Sequence, residues 1–179
     1  TQPPVITCPA NLTVNTAPGE CSSTVTFSVT ATDNCAVTNV TSVPASGFAF
    51  PVGTTTVTST ARDASGNTSQ CTFTVTVNDT QPPAITCPAN IAVNAVPGQC
   101  TSNVTFTVTA TDLCGNVTNL VIVPASGSAF PTGVTTVTST AIDESGNTNQ
   151  CTFTITVLDI QVPAISCPAD IIVVAPPGQ

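Results

Sequence analysis

The chain has 179 residues, with one Lys or Arg against nine Asp or Glu, for a net charge of −8. So few positive charges cannot neutralise phosphates, which excludes nucleic acid as a partner and an anionic membrane surface with it. The absence of His removes every Ser-His-Asp or Cys-His catalytic arrangement, so the chain does not read as an enzyme.

The chain opens on Thr1-Gln2-Pro3-Pro4, which recurs as Thr80-Gln81-Pro82-Pro83. It therefore starts at a repeat boundary, and a secretion signal is expected upstream. A first strand fits residues 11–15, ended by the turn residues Ala17-Pro18-Gly19. Val25, Phe27, Val29 and Ala31 then alternate with Thr24, Thr26, Ser28, Thr30 and Thr32. Period two with one apolar and one Thr face predicts a single half-buried strand. Further strands fit residues 37–43 and 54–61, followed by Phe73, Val75 and Val77 alternating with Thr72, Thr74 and Thr76. Pro44-Ala45-Ser46-Gly47 and Ala64-Ser65-Gly66-Asn67 separate them as turns.

The pattern then repeats. Cys8, Cys21 and Cys35 recur at one constant offset as Cys87, Cys100 and Cys114, and Cys71 recurs as Cys151 at an offset longer by one. A third copy begins at Gln161-Val162-Pro163, carries Cys167, and reaches Pro177-Gly178-Gln179. The expected organisation is a β-sandwich repeat over residues 1–79, a second over 80–159, and the opening strand of a truncated third over 160–179. About 80 residues and roughly seven short strands per repeat predict an all-β fold of tandem immunoglobulin-like sandwiches. With no Trp, they are not antibody-type domains. No apolar run approaches the roughly 20 residues of a membrane span.

Nine cysteines, no His and no Cys-x-x-Cys pair point to disulfides rather than zinc. Disulfides persist in oxidising compartments, which places the protein outside the cell or on its surface.

Five motifs in order carry a family resemblance: Ile6-Thr7-Cys8-Pro9; Ala31-Thr32-Asp33-Asn34-Cys35; Ser46-Gly47-Phe48-Ala49-Phe50-Pro51-Val52-Gly53-Thr54-Thr55; Asp63-Ala64-Ser65-Gly66-Asn67; and Cys71-Thr72-Phe73-Thr74-Val75. Together they resemble the hyalin repeat (HYR) domain, and the second copy matches with Asp112-Leu113-Cys114. The resemblance covers essentially the whole chain. It implies an immunoglobulin-like fold and an extracellular adhesion or matrix role, with no catalysis and no defined ligand.

Parity bears on the cysteines. Cys8 shares the face of Ile6, Leu12 and Val14, and Cys71 that of Phe73 and Val75. Both face inward and open strands that run parallel in this fold, which favours Cys8–Cys71 and Cys87–Cys151. Cys21 with Cys35, and Cys100 with Cys114, would remain. A continuous ten-residue strand would hold such a pair about 30 Å apart. Either that strand breaks, or Cys21 bonds another repeat, or the first pairing is different.

Six of the nine acids recur at three positions: Asp33 and Asp112, Asp63 and Asp143, Asp79 and Asp159. In such a sandwich Asp79 arrives beside Asp112 and Asp143 of the second repeat. Three carboxylates without a basic neighbour repel unless a cation lies among them, and oxygen-only ligands select Ca²⁺. The bland reading is that these Asp cap turns. Arg62, the only basic residue, adjoins Asp63 and stands in for the ion in the first repeat. Asn-x-Ser/Thr acceptor sites at Asn11, Asn39, Asn67, Asn78, Asn103 and Asn116 mark candidate glycosylation.

The expected function is structural: repeats stacked with neighbouring repeats and with copies of the same chain in an extracellular fibre, filament or adhesin stalk. The alternative is an adhesion module that recognises carbohydrate or protein through its loops.

Overall fold

The structure is a computed structural model, which describes residues 2–173 and residue 178. The first repeat contains β1 (Val5–Thr7), β2 (Leu12–Asn15), β3 (Ser22–Val25), β4 (Thr30–Thr32), β5 (Val37–Val43), β6 (Phe48–Pro51), β7 (Gly53–Asp63) and β8 (Thr68–Asn78). The second contains β9 (Ala84–Thr86), β10 (Ile91–Asn94), β11 (Thr101–Asn103), β12 (Thr109–Thr111), β13 (Val117–Val123), β14 (Ala129–Pro131), β15 (Gly133–Asp143) and β16 (Thr148–Leu158).

Each repeat has the same two layers. One is a four-stranded sheet ordered β2-β8-β7-β5, or β10-β16-β15-β13 in the second copy. Within it β2 runs parallel to β8, with Leu12 opposite Val75, while β7 and β8 form a long antiparallel hairpin. The other layer consists of the short pairs β1-β4 and β3-β6, and β9-β12 and β11-β14. Two layers packed in this way, with antiparallel pairing except at the β2-β8 and β10-β16 edges, form an immunoglobulin-like sandwich.

The alternating sequence explains the core. Val25 and Phe50 from the short pairs pack on Val57, Phe73, Val75 and Val77 from the four-stranded sheet. Phe27 meets Phe73 edge to face at 4.9 Å between ring centroids, and Phe106 meets Phe153 at the same distance. The Thr faces point to solvent, where a β-branched side chain still favours the strand.

Two expectations change. The strand expected through residues 24–32 is broken into β3 and β4, with residues 26–29 unpaired. The Ser46 hydroxyl inserts there, accepting from Phe27 N–H at 2.9 Å and donating to Phe27 C=O at 2.9 Å. Ser126 does the same to Phe106 at 2.8 and 2.7 Å. A side chain from the neighbouring turn thus replaces a ladder of backbone bonds without disturbing the inward alternation. The opening strand expected over residues 160–179 is also not formed over residues 160–173. In the complete repeats β1 and β2 are strands because β4 and β8 pair them, and residues 160–173 have no such partners here. Residues 174–177 and 179, including most of the Pro177-Gly178-Gln179 match, lie outside the described residues, as does Thr1 of the opening motif.

Candidate functional site at the junction between repeats

Three features of the junction can be built from its residues. The first is a glutamine plug. The turn after β2 places Gly19 at φ +77, a conformation glycine adopts without penalty. That turn aims Gly19 N–H at the side-chain oxygen of Gln81 in the linker, 2.9 Å away. The Gln81 amide donates in return to the Glu20 carbonyl at 2.7 Å and the Ala17 carbonyl at 3.2 Å. The linker side chain therefore satisfies both polarities of an otherwise open turn. Beside it Pro83 is fully buried, and its carbonyl accepts from the Asn149 side chain at 2.9 Å. Linker and both repeats are thereby tied. Gln81 was not singled out from the sequence, although Gln2, Gln81 and Gln161 recurring before proline or valine-proline was a signal for it.

The second feature is acidic. Asp79, Asp112 and Asp143 each offer a carboxylate oxygen within 4.8 Å of the other two. Asp79 and Asp143 are buried and Asp112 half-buried. Local bonds orient all three. Asp143 accepts from Ser145 N–H and Asn147 N–H, both at 2.8 Å, and from the Asn147 amide at 2.9 Å. Asp112 accepts from Cys114 N–H at 2.8 Å, and Asp79 from Gln81 N–H at 3.0 Å. One oxygen each of Asp79 and Asp112 is left for another partner. Glu144 adds a further carboxylate near Asp112 across Gly115, and its other oxygen accepts from the Asn116 amide at 2.7 Å.

No cation among the described residues offsets this charge. Arg62 lies near the far end of the eleven-residue strand β7, about 30 Å from the junction. A hard, oxygen-binding cation such as Ca²⁺ fits the donor chemistry, with Asp79, Asp112 and Asp143 as the residues that would hold it. Nor does Arg62 stand in for an ion beside Asp63. Successive residues of a strand point to opposite faces, so Arg62 is exposed while Asp63 is buried. The Arg62 guanidinium lies against the Gly66 turn instead, and Asp63 is satisfied by the Asn67 N–H at 2.8 Å and side-chain amide at 2.6 Å.

The third feature is covalent. Cys8 is joined to Cys71 and Cys87 to Cys151, each with Cα atoms 5.9 Å apart. Each pins the start of one layer to the middle of the other. Cys21 is joined not to Cys35 but to Cys114 of the next repeat, with Cα atoms 4.9 Å apart. Cys35 and Cys100 consequently have no partner among the described residues, and neither does Cys167. The reason is distance. Cys21 sits at the end of the sandwich that meets the second repeat, whereas Cys35 follows β4 at the opposite end. Of the alternatives left open for Cys21 the structure therefore takes the bond to another repeat, and Cys21 does not pair with Cys35 nor Cys100 with Cys114.

Among the acceptor asparagines, Asn11, Asn39, Asn78, Asn103 and Asn116 are exposed and Asn67 is half-buried. Asn11 uses its side-chain oxygen to accept from Thr74 N–H at 2.9 Å. The amides of Asn67 and Asn116 are committed to Asp63 and Glu144. An open cleft of about 320 Å³ runs beside the junction, lined by Val52, Gly53, Asn78, Asp79 and Ser145. No helix among the described residues is long and apolar enough to cross a membrane.

These features define a tandem array of disulfide-pinned, immunoglobulin-like sandwiches with a structured joint. Residues 1–77 and 78–157 each match the model of the HYR domain, and the chain belongs to that family, one of extracellular, adhesion-type repeats. It is 39% identical over 176 residues to hyalin of Strongylocentrotus purpuratus, covering 93% of this chain and 15% of that protein. It is 36% identical over 182 residues to hyalin of Lytechinus variegatus, covering 96% of this chain and 34% of that protein. The chain thus spans about a third or less of these relatives. Among solved structures, protocadherin gamma B2 extracellular domains 1–5 align with a TM-score of 0.46 at 13% identity, over 90% of this chain and 41% of that one. That likeness is too distant to add to the fold. Family and disulfides together place this chain outside the cell or on its surface.

Proposed function

We propose that the chain is a structural segment of an extended extracellular stalk or fibre, in which the repeat junction is the functional element. The single observation behind this reading is the joint itself. A disulfide, a glutamine plug and a carboxylate triad all act between repeats, and none of them lines an enclosed pocket. Tandem units that meet through one repeated geometry generate a rod. On this reading the chain is not an enzyme, and its partners are neighbouring repeats and copies of itself. Ca²⁺ bound by Asp79, Asp112 and Asp143 stiffens the joint, and exposed Asn39, Asn78 and Asn103 carry glycans where the source glycosylates.

Small-angle scattering of the chain with Ca²⁺ tests the rod. Two sandwiches end to end should give a particle roughly 70–90 Å long, from strands rising about 3.3 Å per residue. A compact particle with the repeats folded together overturns it. Addition of Ca²⁺ should raise the melting temperature of the second repeat. Asp112→Asn keeps an oxygen for Cys114 N–H and should abolish that rise. A melting curve unmoved between excess Ca²⁺ and excess chelator leaves these residues as turn caps.

The second reading, recognition of carbohydrate or protein, is favoured by the junction cleft alone. Saturable binding of a glycan or protein that Ser145→Trp blocks would establish it.

A further inference from the structure

The cross-repeat bond takes one cysteine from each side of a joint, and this chain carries both halves a second time. Cys21 and Cys114 are bonded. Their counterparts by repeat position are Cys100, one repeat after Cys21, and Cys35, one repeat before Cys114. Both counterparts are exposed and unpaired among the described residues.

Each counterpart already sits in the backbone setting of its bonded twin. Cys35 N–H donates to Asp33 at 2.7 Å, as Cys114 N–H donates to Asp112 at 2.8 Å. The Cys100 carbonyl accepts from Thr132 N–H at 2.9 Å, as the Cys21 carbonyl accepts from Val52 N–H at 3.1 Å. The turn that receives the glutamine plug is also reproduced, with Gly98 at φ +78 against Gly19 at +77. Gln161 N–H donates to Asp159 at 3.0 Å, as Gln81 N–H does to Asp79 at 3.0 Å. The outgoing joint therefore starts along the same path as the internal one.

The two thiols cannot serve each other. Cys35 lies at the outer end of the first repeat and Cys100 at the outer end of the second. Two strand lengths separate them, on the order of 70 Å, whereas a disulfide needs Cα atoms within about 7 Å.

We propose that Cys100 and Cys35 are the two halves of further cross-repeat bonds. Cys100 takes the counterpart of Cys114 in a following HYR repeat, and Cys35 takes the counterpart of Cys21 in a preceding one. The bond forms by thiol–disulfide exchange with a low-molecular-weight disulfide such as oxidised glutathione. One protein thiolate attacks it to give a mixed disulfide and one released thiol. The second protein thiolate displaces the other glutathione. Two protein thiols lose two protons and two electrons, and one oxidised glutathione becomes two reduced ones. This inference rests on the tandem-stalk reading and adds that each joint is closed covalently, so that bonds within and between repeats alternate along the array.

The test extends the full chain after Gln179 with a second copy of residues 100–159, which completes a third repeat. The protein is refolded in reduced and oxidised glutathione and mapped by non-reducing mass spectrometry. Unpaired thiols should fall from three, at Cys35, Cys100 and Cys167, to two, at Cys35 and the added copy of Cys100. A peptide joining Cys100 to the added copy of Cys114 should appear. Alkylation of Cys100 by iodoacetamide in the folded extended chain overturns the proposal, as does a Cys100–Cys114 bond inside the second repeat. If the extended chain scatters as a rod while Cys100 stays reactive, the stalk reading stands and this inference falls. A bonded Cys100 in a sharply bent particle upholds the covalent joint and overturns the stalk. The unextended chain offers a check that needs no new repeat. Oxidised at high concentration, it should join copies head to tail through Cys100 and Cys35, and symmetric Cys35–Cys35 or Cys100–Cys100 products count against the proposal.

Discussion

In the first repeat the buried Ser59 hydroxyl meets Ser42 across the β5-β7 ladder, oxygen to oxygen at 2.8 Å. In the second, the same position is Ser139, which faces Ile122. Its hydroxyl is buried without a partner. Ile122 packs against the second core, so that copy exchanges a satisfied polar pair for apolar contact and an orphaned hydroxyl. The two copies differ at their incoming ends as well. The first has Asp33 and Asp63, the latter held by Asn67. The second has Asp112, Asp143 and the linker Asp79 within a few ångströms, with Glu144 alongside where the first has Ala64. The interior of this sandwich tolerates single exchanges between strands. The junction draws its chemistry from both repeats and from the linker, so neither copy contains it alone.

The largest effect should come from the aromatic centres. Phe153→Ala removes the ring that meets Phe106 and should cost the second repeat about 3–5 kcal/mol. Calorimetry should show that repeat melting well before the first, with Phe73→Ala reversing the order. A single transition lowered equally by both variants would make the repeats one cooperative unit.

Next in size is the covalent joint. Cys21→Ser should lower stability to denaturant by about 2–4 kcal/mol. Iodoacetamide should then label Cys114 while the Cys8–Cys71 and Cys87–Cys151 peptides stay intact.

The buried serines give a smaller, signed contrast. Ser139→Ala removes an unpaired buried hydroxyl and should stabilise the second repeat by about 1 kcal/mol. Ser59→Ala breaks a made bond and should destabilise the first by up to about 1 kcal/mol. Paired urea titrations read both signs.

The smallest effect is a pH dependence. Hydrogen bonding from the Asn67 side chain, aided by backbone N–H groups and opposed by burial, holds the Asp63 carboxyl below the usual carboxylate range. Between that lowered value and the unfolded value of about 3.9, the unfolded chain binds more protons, so stability rises with pH there. The contribution is complete above the unfolded value and is lost as pH falls through the lowered one. Melting curves of the first repeat between about pH 5 and 2 should show this loss, and Asn67→Ala should flatten it.

What could be read without coordinates was everything that repeats locally. Period-two alternation marks β8 and the inward face of residues 24–32, because a strand turns its side chains to opposite faces at each residue, and the cysteine spacing marks the copies. The inward parity of Cys8 and Cys71 belongs to the same alternation. Strand β6 was legible only as part of the Phe48-Ala49-Phe50-Pro51 motif, since four residues between turns carry little periodic signal.

The rest depends on which groups the tertiary fold brings together. Residues 26–29 leave the ladder because a serine from another turn reaches them, and no local property of Thr26 or Phe27 announces that. The Ser139 orphan exists only because Ile122 stands opposite. Composition and short-range pattern suffice for the repeat, the sandwich class, the disulfide-forming environment and the excess of carboxylates. The bond of Cys21 to Cys114 across 93 residues and the lock that Gln81 puts on the joint emerge only once both sandwiches are folded. Both contacts depend on how the end of one folded sandwich abuts the next, a geometry that no window of sequence contains.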